Sequence, residues 1–109
     1  MGRKDDLLPG TLDLLVLRIL SAQALHGWGI AQRLKLLSRE VLQVNQGSLY
    51  PALHKMEAEG WIEAEWKPTD EGRQAKFYSL TRKGRKVLGD QRARWERLSS
   101  AVGWVLETE

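Results

Sequence analysis

The chain has 109 residues, of which 42% are hydrophobic and 28% charged, and its formal net charge is +3. This length allows one domain with a modest core, and the composition is typical of a globular chain. The absence of cysteine excludes a disulfide framework, a thiolate metal site and a cysteine nucleophile, and it agrees with a reducing cytoplasm. The charged first six residues precede no signal-peptide pattern, and the apolar stretch 12–25 is too short and too charged to span a bilayer.

The first predicted helix starts at Pro9-Gly10-Thr11, with Thr11 as its N-cap, and runs to about Ala24. Its apolar residues occupy nearly the whole circumference, so the helix needs burial on more than one side. A small domain offers little for the second side. We therefore expect part of this helix, including Leu12 and Leu15, to meet a partner subunit.

The second predicted helix spans about Gly29–Leu37, after the segment Leu25-His26-Gly27 has ended the first. Its apolar face consists of Ile30, Leu34 and Leu37. A connector follows over Ser38–Val44, and its apolar residues are expected to cover the core: Val41, Leu42 and Val44.

The third predicted helix carries a proline at position 51, which is tolerated best in the first turn of a helix. We therefore place its start near Gly47 or Ser48, not at Gln46, and its end at Gly60. Four residues at helical spacing would face the core: Leu49, Ala52, Leu53 and Met56. The other face begins without charge, which suits contact with a phosphate backbone and base edges. Its residues are Ser48, Tyr50, Pro51, His54 and Lys55.

Two alternating segments, Trp61–Trp66 and Ala75–Leu80, predict a half-buried β-hairpin whose loop carries basic residues. A helix, a short link and a hairpin with a basic tip are the order of a winged helix. The predicted fold is α+β: a winged helix-turn-helix domain over residues 8–80, followed by a long C-terminal dimerisation helix over residues 81–108.

The last helix is predicted from Thr81 to about Leu106. Apolar residues recur every seven positions in two series offset by three: Leu88, Trp95 and Val102, then Gln91, Leu98 and Val105. This is a heptad seam with one polar member, typical of a helix that pairs with another helix. A helix of about 25 residues is about 38 Å long, more than so small a domain covers, and we expect it to project and form a homodimer.

Several motifs in order resemble the PadR family of bacterial transcriptional regulators, over about residues 8–106. They are Gly10–Leu17, His26–Ile30, Gly47–Leu53, Met56-Glu57-x-x-Gly60-Trp61-Ile62 and Tyr78-x-Leu80-Thr81-x-x-Gly84. Trp28 stands where the family usually has Tyr, and Ser48 where it has Thr. The resemblance implies a small member with a single C-terminal helix, which represses a nearby gene or its own promoter. A small molecule or a stress signal would relieve that repression.

The candidate DNA-binding residues lie on the third helix and in the hairpin: Ser48, Tyr50, Pro51, His54, Lys55, Arg73 and Lys76. From Glu71 to Arg97 the chain has nine Lys/Arg and three Asp/Glu, which favours a stripe that faces phosphates. Other roles stay open: Ser48 as a helix cap, Tyr50 packed across the start of its own helix, and Arg73 as a solvated loop residue. Lys76 is expected to face outward from its strand.

Five tryptophans are many for this length. Trp61 and Trp66 are expected in the core, and Trp28 packed at the start of the second helix. Trp95 lies on the heptad seam, where two copies, with Leu98, could form a pocket for a planar aromatic effector. Simple interface packing of Trp95 is the alternative. The predicted dimer interface comprises Leu12, Leu15, Leu88, Trp95, Leu98, Val102 and Val105.

The sequence contains no nucleophile elbow, no glycine-rich phosphate loop and no paired His/Glu motif, so we expect neither an enzyme nor a bound cofactor or metal. The favoured function is a DNA-binding regulator that acts on an inverted-repeat operator in double-stranded DNA, in the cytoplasm and on the nucleoid. Two alternatives remain: a winged-helix adaptor that docks proteins, and a small-molecule sensor with weak DNA affinity.

Overall fold

The computed structural model describes residues 10–108, which form four helices and a three-stranded antiparallel sheet of order β1-β3-β2. The elements are α1 (Thr11–Leu20), β1 (Leu25–His26), α2 (Gly27–Leu37), α3 (Gln46–Ala58), β2 (Ile62–Pro68), β3 (Gln74–Leu80) and α4 (Arg82–Leu106). The predicted α+β winged helix with a long final helix is confirmed. Leu8 and Pro9, the first two residues of the expected domain over 8–80, lie outside the described residues.

The core lies where the first three helices meet the base of the sheet. The helices α1 to α3 and the strands β2 and β3 contribute apolar side chains that are almost fully buried: Val16, Leu17, Leu20, Ile30, Leu49, Leu53, Met56, Ile62 and Tyr78. The helical spacing in α3 is confirmed, because Leu49, Leu53 and Met56 are buried and Ala52 packs beside them. Burial of this apolar surface drives folding.

The prediction that the first helix reaches Ala24 with Thr11 as N-cap is wrong. Gly10, in a left-handed conformation, precedes α1, and Thr11 is its first residue. The Ser21 hydroxyl donates to the Arg18 carbonyl at 2.6 Å and closes the helix. Leu25 then pairs with Tyr78 as an edge strand, so the chain leaves the helix to reach the sheet.

The segment around His26 begins α2 and does not end α1. His26 is the N-cap, and its Nδ1 accepts a hydrogen bond from the Gly29 backbone N–H at 2.9 Å. Ile30 and Leu34 are buried as expected, but Leu37 is exposed. In the connector, Val44 packs against the core, whereas Val41 points into solvent.

The predicted start of the third helix is also wrong, because α3 begins at Gln46. The Asn45 side chain caps it by accepting from the Ser48 N–H at 2.9 Å. Pro51 thus lies in the second turn, where it lacks the N–H that would bond to the carbonyl four residues earlier. The asparagine cap and the apolar face outweigh that loss. Gly60, with φ of +80°, ends the helical segment as predicted.

The start of α4 is fixed against the turn between α3 and β2. Thr81 caps the helix by accepting from the Gly84 N–H at 3.0 Å, and its hydroxyl donates to the Gly60 carbonyl at 2.6 Å. A Cβ on Gly84 would overlap the carbonyl oxygen of Trp61. The Thr81-x-x-Gly84 motif therefore has a structural explanation: it brings the helix backbone against the turn.

The first part of α4 packs against the core through residues such as Val87 and Leu88. Beyond Gln91 nearly all side chains are exposed, and the molecule is elongated, with a longest dimension of 57 Å. The projecting part presents a row of apolar seam residues to solvent, namely Trp95, Leu98, Val102 and Val105.

Candidate nucleic-acid interface

The helix α3, the start of α2 and the wing (the hairpin β2–β3) enclose an open cleft of about 690 Å³. The fold brings four of the seven predicted DNA-binding residues into its lining: Tyr50, His54, Arg73 and Lys76. They come from two parts of the chain, α3 and the wing, whose nearest members, His54 and Arg73, are 19 residues apart.

Tyr50 lies between the cleft and the first turn of α2. A Cβ on Gly27 would be 2.6 Å from the Tyr50 Oη, so glycine leaves the space that the phenol ring occupies. The packing partner is thus the α2 N-terminus and not the start of its own helix. The side chain is still 38% exposed, and it can therefore be held in place and contact a ligand.

Ser48 and Pro51 are exposed on the N-terminal part of α3 but do not line the cleft. Capping of this helix is done by the Asn45 side chain, which bonds to the backbone of Ser48. The N-terminus of α3 therefore presents the Ser48 side chain to solvent, close to a positive helix-dipole end that favours anions.

Lys55 points away from the cleft toward α1. Its ammonium forms an ion pair with Asp13 and lies 5.1 Å from the centroid of the Trp61 ring. A phosphate contact by Lys55 would require this pair to open.

Lys76 does not face outward as expected. It shares a sheet face with Tyr78, and its ammonium lies 3.2 Å from the Glu57 carboxylate of α3. Its positive charge therefore lies at the foot of the cleft and bridges the wing to α3. Arg73 is exposed at the wing tip. There its carbonyl accepts from the Thr69 N–H at 2.6 Å and closes the turn that contains Gly72.

Two tryptophans of the cleft lining, Trp28 and Trp66, were expected in packed positions. Both are exposed, at 65% and 66%. Trp66 has the same strand parity as buried Ile62, but the strand has left the core by that point, so the same face becomes a wall of the cleft. Trp61 is half-buried against the core, in accordance with its prediction.

Burial raises the pKa of the Tyr78 hydroxyl, at the base of the cleft, above its usual value. The Lys76 ammonium acts in the opposite direction, while Glu57 and Tyr50 add to the increase. The phenol therefore stays neutral at physiological pH. The positive charge contributed by Lys76 is not cancelled by it.

On the opposite side of the domain, α1 and α4 border a second, mostly apolar concavity of about 350 Å³. Leu15, Leu88 and Trp95 line it, and Trp95 continues into an adjoining concavity of about 300 Å³ that also contains Leu98. The predicted pocket residues Trp95 and Leu98 are thus brought together within one chain. Within the described part of the chain, the buried Gln91 side-chain oxygen has no hydrogen-bond partner.

Across residues 10–108, no helix is long and apolar enough to cross a membrane. The same residues include no cluster of three or more His, Asp or Glu side chains suited to a metal ion.

A helix with an exposed polar face, set beside a hairpin that carries basic side chains, defines the winged-helix class of DNA-binding proteins. Residues 16–90 match the Transcriptional regulator PadR-like family, and the chain belongs to that family. The resemblance inferred from the sequence motifs is confirmed. The protein is accordingly a DNA-binding transcriptional regulator.

Known relatives agree with this assignment. The transcriptional regulator Rv3488 of Mycobacterium tuberculosis is 38% identical over 77 residues, which cover 71% of this chain and 68% of the relative. A PadR-like regulator of Bacillus cereus shares 30% identity with a TM-score of 0.80 over 92% of this chain and 95% of that one. A PadR family regulator of Eggerthella lenta shares 30% identity with a TM-score of 0.77, over 92% and 85% of the two chains.

Proposed function

We propose that the protein is a homodimeric repressor that binds an inverted-repeat operator through α3 and the wing of each subunit. The observation that carries the proposal is the cleft that joins Tyr50 and His54 of α3 to Arg73 and Lys76 of the wing. It acts in the cytoplasm, on the nucleoid, by binding DNA and without catalysis.

The exposed face of α3 suits a major groove. Ser48, Tyr50, Pro51 and His54 offer hydroxyl, imidazole and apolar contacts, and none of them carries a carboxylate that phosphates would repel. The helix N-terminus adds a favourable dipole. Lys55 joins this surface as a phosphate contact once it leaves Asp13.

The wing supplies positive charge for contacts with DNA phosphates. Arg73 at its exposed tip can neutralise a phosphate or enter a minor groove, and Lys76 adds positive charge at the base. The first turns of α4 extend the basic stripe with four cations: Arg82, Lys83, Arg85 and Lys86. Contacts of this kind attract any duplex, whereas contacts from α3 to base edges select the operator.

Pairing of two chains is supported by the apolar surface of the projecting α4. Its exposed seam of Trp95, Leu98, Val102 and Val105, with Leu88 nearer the core, would be covered by a second copy. Leu15 of α1 lines a concavity with Leu88 and Trp95, and Leu12 is half-buried against the core; the two would complete the interface. A two-fold axis between the subunits makes the matching operator an inverted repeat.

A planar aromatic effector that binds at the concavity of Trp95 and Leu98 would relieve repression; a stress signal is the alternative. Binding there would change the angle between the two DNA-binding domains and so the affinity for the operator. Quenching of tryptophan fluorescence by planar aromatics should be reduced in Trp95→Leu. If quenching is equal in both proteins, Trp95 is interface packing only.

The proposal is tested by measuring duplex binding at several salt concentrations for wild type, Tyr50→Ala and Arg73→Ala. Loss of a base-edge contact by Tyr50→Ala should cost about 1–3 kcal/mol and reduce discrimination between operator and random DNA. Arg73→Ala should weaken both duplexes and lower the salt slope by about one unit. If wild type shows no salt-dependent DNA binding, the protein is an adaptor or a sensor instead.

A further inference from the structure

The wing carries a large apolar side chain where the sheet no longer covers a core. Along one face of β2, Ile62 and Ala64 pack against the core, while Trp66, next on that face, is 66% exposed and lines the cleft. Its partner across the hairpin is Lys76. An indole in this position is not stabilised by burial in the core, which is the usual contribution of a large aromatic side chain.

A second exposed indole stands on the opposite wall. Trp28, in the first turn of α2, is 65% exposed and makes an edge contact with the His26 ring, with 6.3 Å between centroids. One exposed apolar side chain needs no explanation, but two tryptophans that line one cleft with basic groups mark a binding surface.

The position of the cleft defines which part of a duplex would fill it. Major and minor grooves are separated by one sugar-phosphate strand, so a helix in one groove and a wing tip at the next have that strand between them. Arg73 provides positive charge for its phosphates, Lys76 adds to it where its ion pair with Glu57 opens, and Gln74 and Thr69 provide polar groups. Glu71, also in the lining, would oppose a phosphate, and Arg73 two residues later offsets it.

We propose that Trp66, with Trp28 on the facing wall, is a DNA-contacting residue that packs against the deoxyribose of the strand held between α3 and the wing. A ring face suits the apolar C–H edges of the sugar, while the cations of the cleft suit the phosphates on either side. Sugar contacts fix the register of a protein on the duplex without selecting its sequence. The proposal depends on the proposed DNA-binding function and adds a residue that determines how the wing is seated.

Loss of the Trp66 contact and loss of a basic residue should differ in their effect on the salt dependence of DNA binding. The salt dependence of binding counts the phosphates that are neutralised, and an indole neutralises none. Trp66→Ala should therefore weaken operator and random duplexes by a similar factor, about tenfold, with an unchanged slope of log K against log salt. Trp66→Phe should retain most of the affinity.

The experiment measures both duplexes at several salt concentrations for wild type, Trp66→Ala, Trp66→Phe and the control Trp104→Ala. Trp104 is similarly exposed, at 69%, but lies on α4 away from the cleft, so its loss should leave affinity unchanged. Wild-type affinity in Trp66→Ala would overturn the proposal. A salt slope reduced by about one unit would also overturn it, because the substitution would then act through Lys76. A loss of affinity confined to the operator would overturn it as well, because it would indicate base readout.

If Trp66→Ala folds poorly, tryptophan fluorescence of wild type and Trp66→Phe provides a second test. Adding duplex to wild type should change an indole signal that is missing in Trp66→Phe, and an identical response in the two proteins would overturn the proposal. Failure of the proposed function is distinguishable, because wild type itself would then show no salt-dependent binding to either duplex.

Discussion

The ion pair between Lys55 and Asp13 links the DNA-facing helix to α1. The lysine side chain is 56% exposed and the aspartate 16%, and a pair this accessible contributes at most about 1 kcal/mol to stability. Its main consequence is that it holds a cation of α3 away from the cleft. In the proposed DNA complex, Asp13 would thus limit how many phosphates α3 can neutralise.

Replacing Asp13 with Asn should strengthen DNA binding. The substitution frees Lys55 and removes a carboxylate near the phosphates, so the salt slope should steepen by about one unit. Titration of duplex at increasing salt measures this slope. The double variant Asp13→Asn/Lys55→Gln is the control and should return to the wild-type slope. An unchanged slope in Asp13→Asn would show that Lys55 does not contact DNA.

The buried hydroxyl of Tyr78 makes the stability of the folded protein vary with pH in the alkaline range. Because burial raises its pKa in the folded state, the unfolded chain releases this proton first as the pH rises. The stabilisation is fully present below pH about 10, the ordinary tyrosine value, and is lost as the pH rises from there through the folded pKa. Urea denaturation of Tyr78→Phe between pH 8 and about 11 should show a shallower decline than wild type. Parallel curves would contradict the assignment.

At the residue scale, the sequence predicted only some of the site. Tyr50, His54 and Arg73 follow from the helical and hairpin patterns, which place them on one side of the chain. The orientation of Lys55 could not be predicted, because Asp13 lies 42 residues away. The exposure of Trp66 could not be predicted, because an alternating strand pattern does not tell where the strand leaves the core, and the pattern of α2 did not place Trp28 in the cleft lining.

At the scale of elements, the contact between α4 and the preceding turn depends on Gly84. A Cβ there would overlap the Trp61 backbone, and backbone cannot move aside as a flexible side chain can. Gly84→Ala should destabilise the protein by about 1–3 kcal/mol. Gly89→Ala is the matched control on the same helix, since a Cβ there meets open space, and helix propensity should make it about 1 kcal/mol more stable. Chemical denaturation of both variants checks this, and equal stabilities would contradict the close approach.

Local sequence patterns predicted the positions and types of the longer helices and strands better than their ends. Position and type of α3, the hairpin and α4 followed from periodicity, because α3 and the hairpin have one face toward the core and α4 has one apolar face along its length. The ends of α1 and α2 did not, since a two-residue strand, Leu25–His26, is defined only by its pairing with β3. Pro51 predicts a start of α3 that is too late, because the Asn45 side chain caps the helix and sets its first residue at Gln46.

At the scale of the whole molecule, the projecting apolar seam of α4 predicts a dimer. Wild type should sediment at about twice the chain mass of 12.4 kDa, and Leu98→Asp should sediment as a folded monomer, because Leu98 is 54% exposed in the single chain. Ala93→Asp adds the same charge to α4 off the seam and should remain dimeric. A wild-type monomer that still binds operator would contradict this interface.

The charge distribution supports one orientation of that dimer on DNA. Residues 71–97 carry a net +6, and the remaining residues therefore sum to −3. Within this segment, Arg73 and Lys76 of the wing line the cleft, and the other cations lie on α4. Two such subunits would present two basic clefts to one face of a duplex.

Two copies of the cleft are proposed to recognise one palindromic site, and sequencing of the genomic DNA fragments that the protein retains would show whether they do. Wild type should enrich a shared inverted repeat whose half-site centres lie about one helical turn, or a multiple of it, apart, and Tyr50→Ala should lose that enrichment. Retained fragments with no common sequence, or with a single unrepeated site, would contradict it.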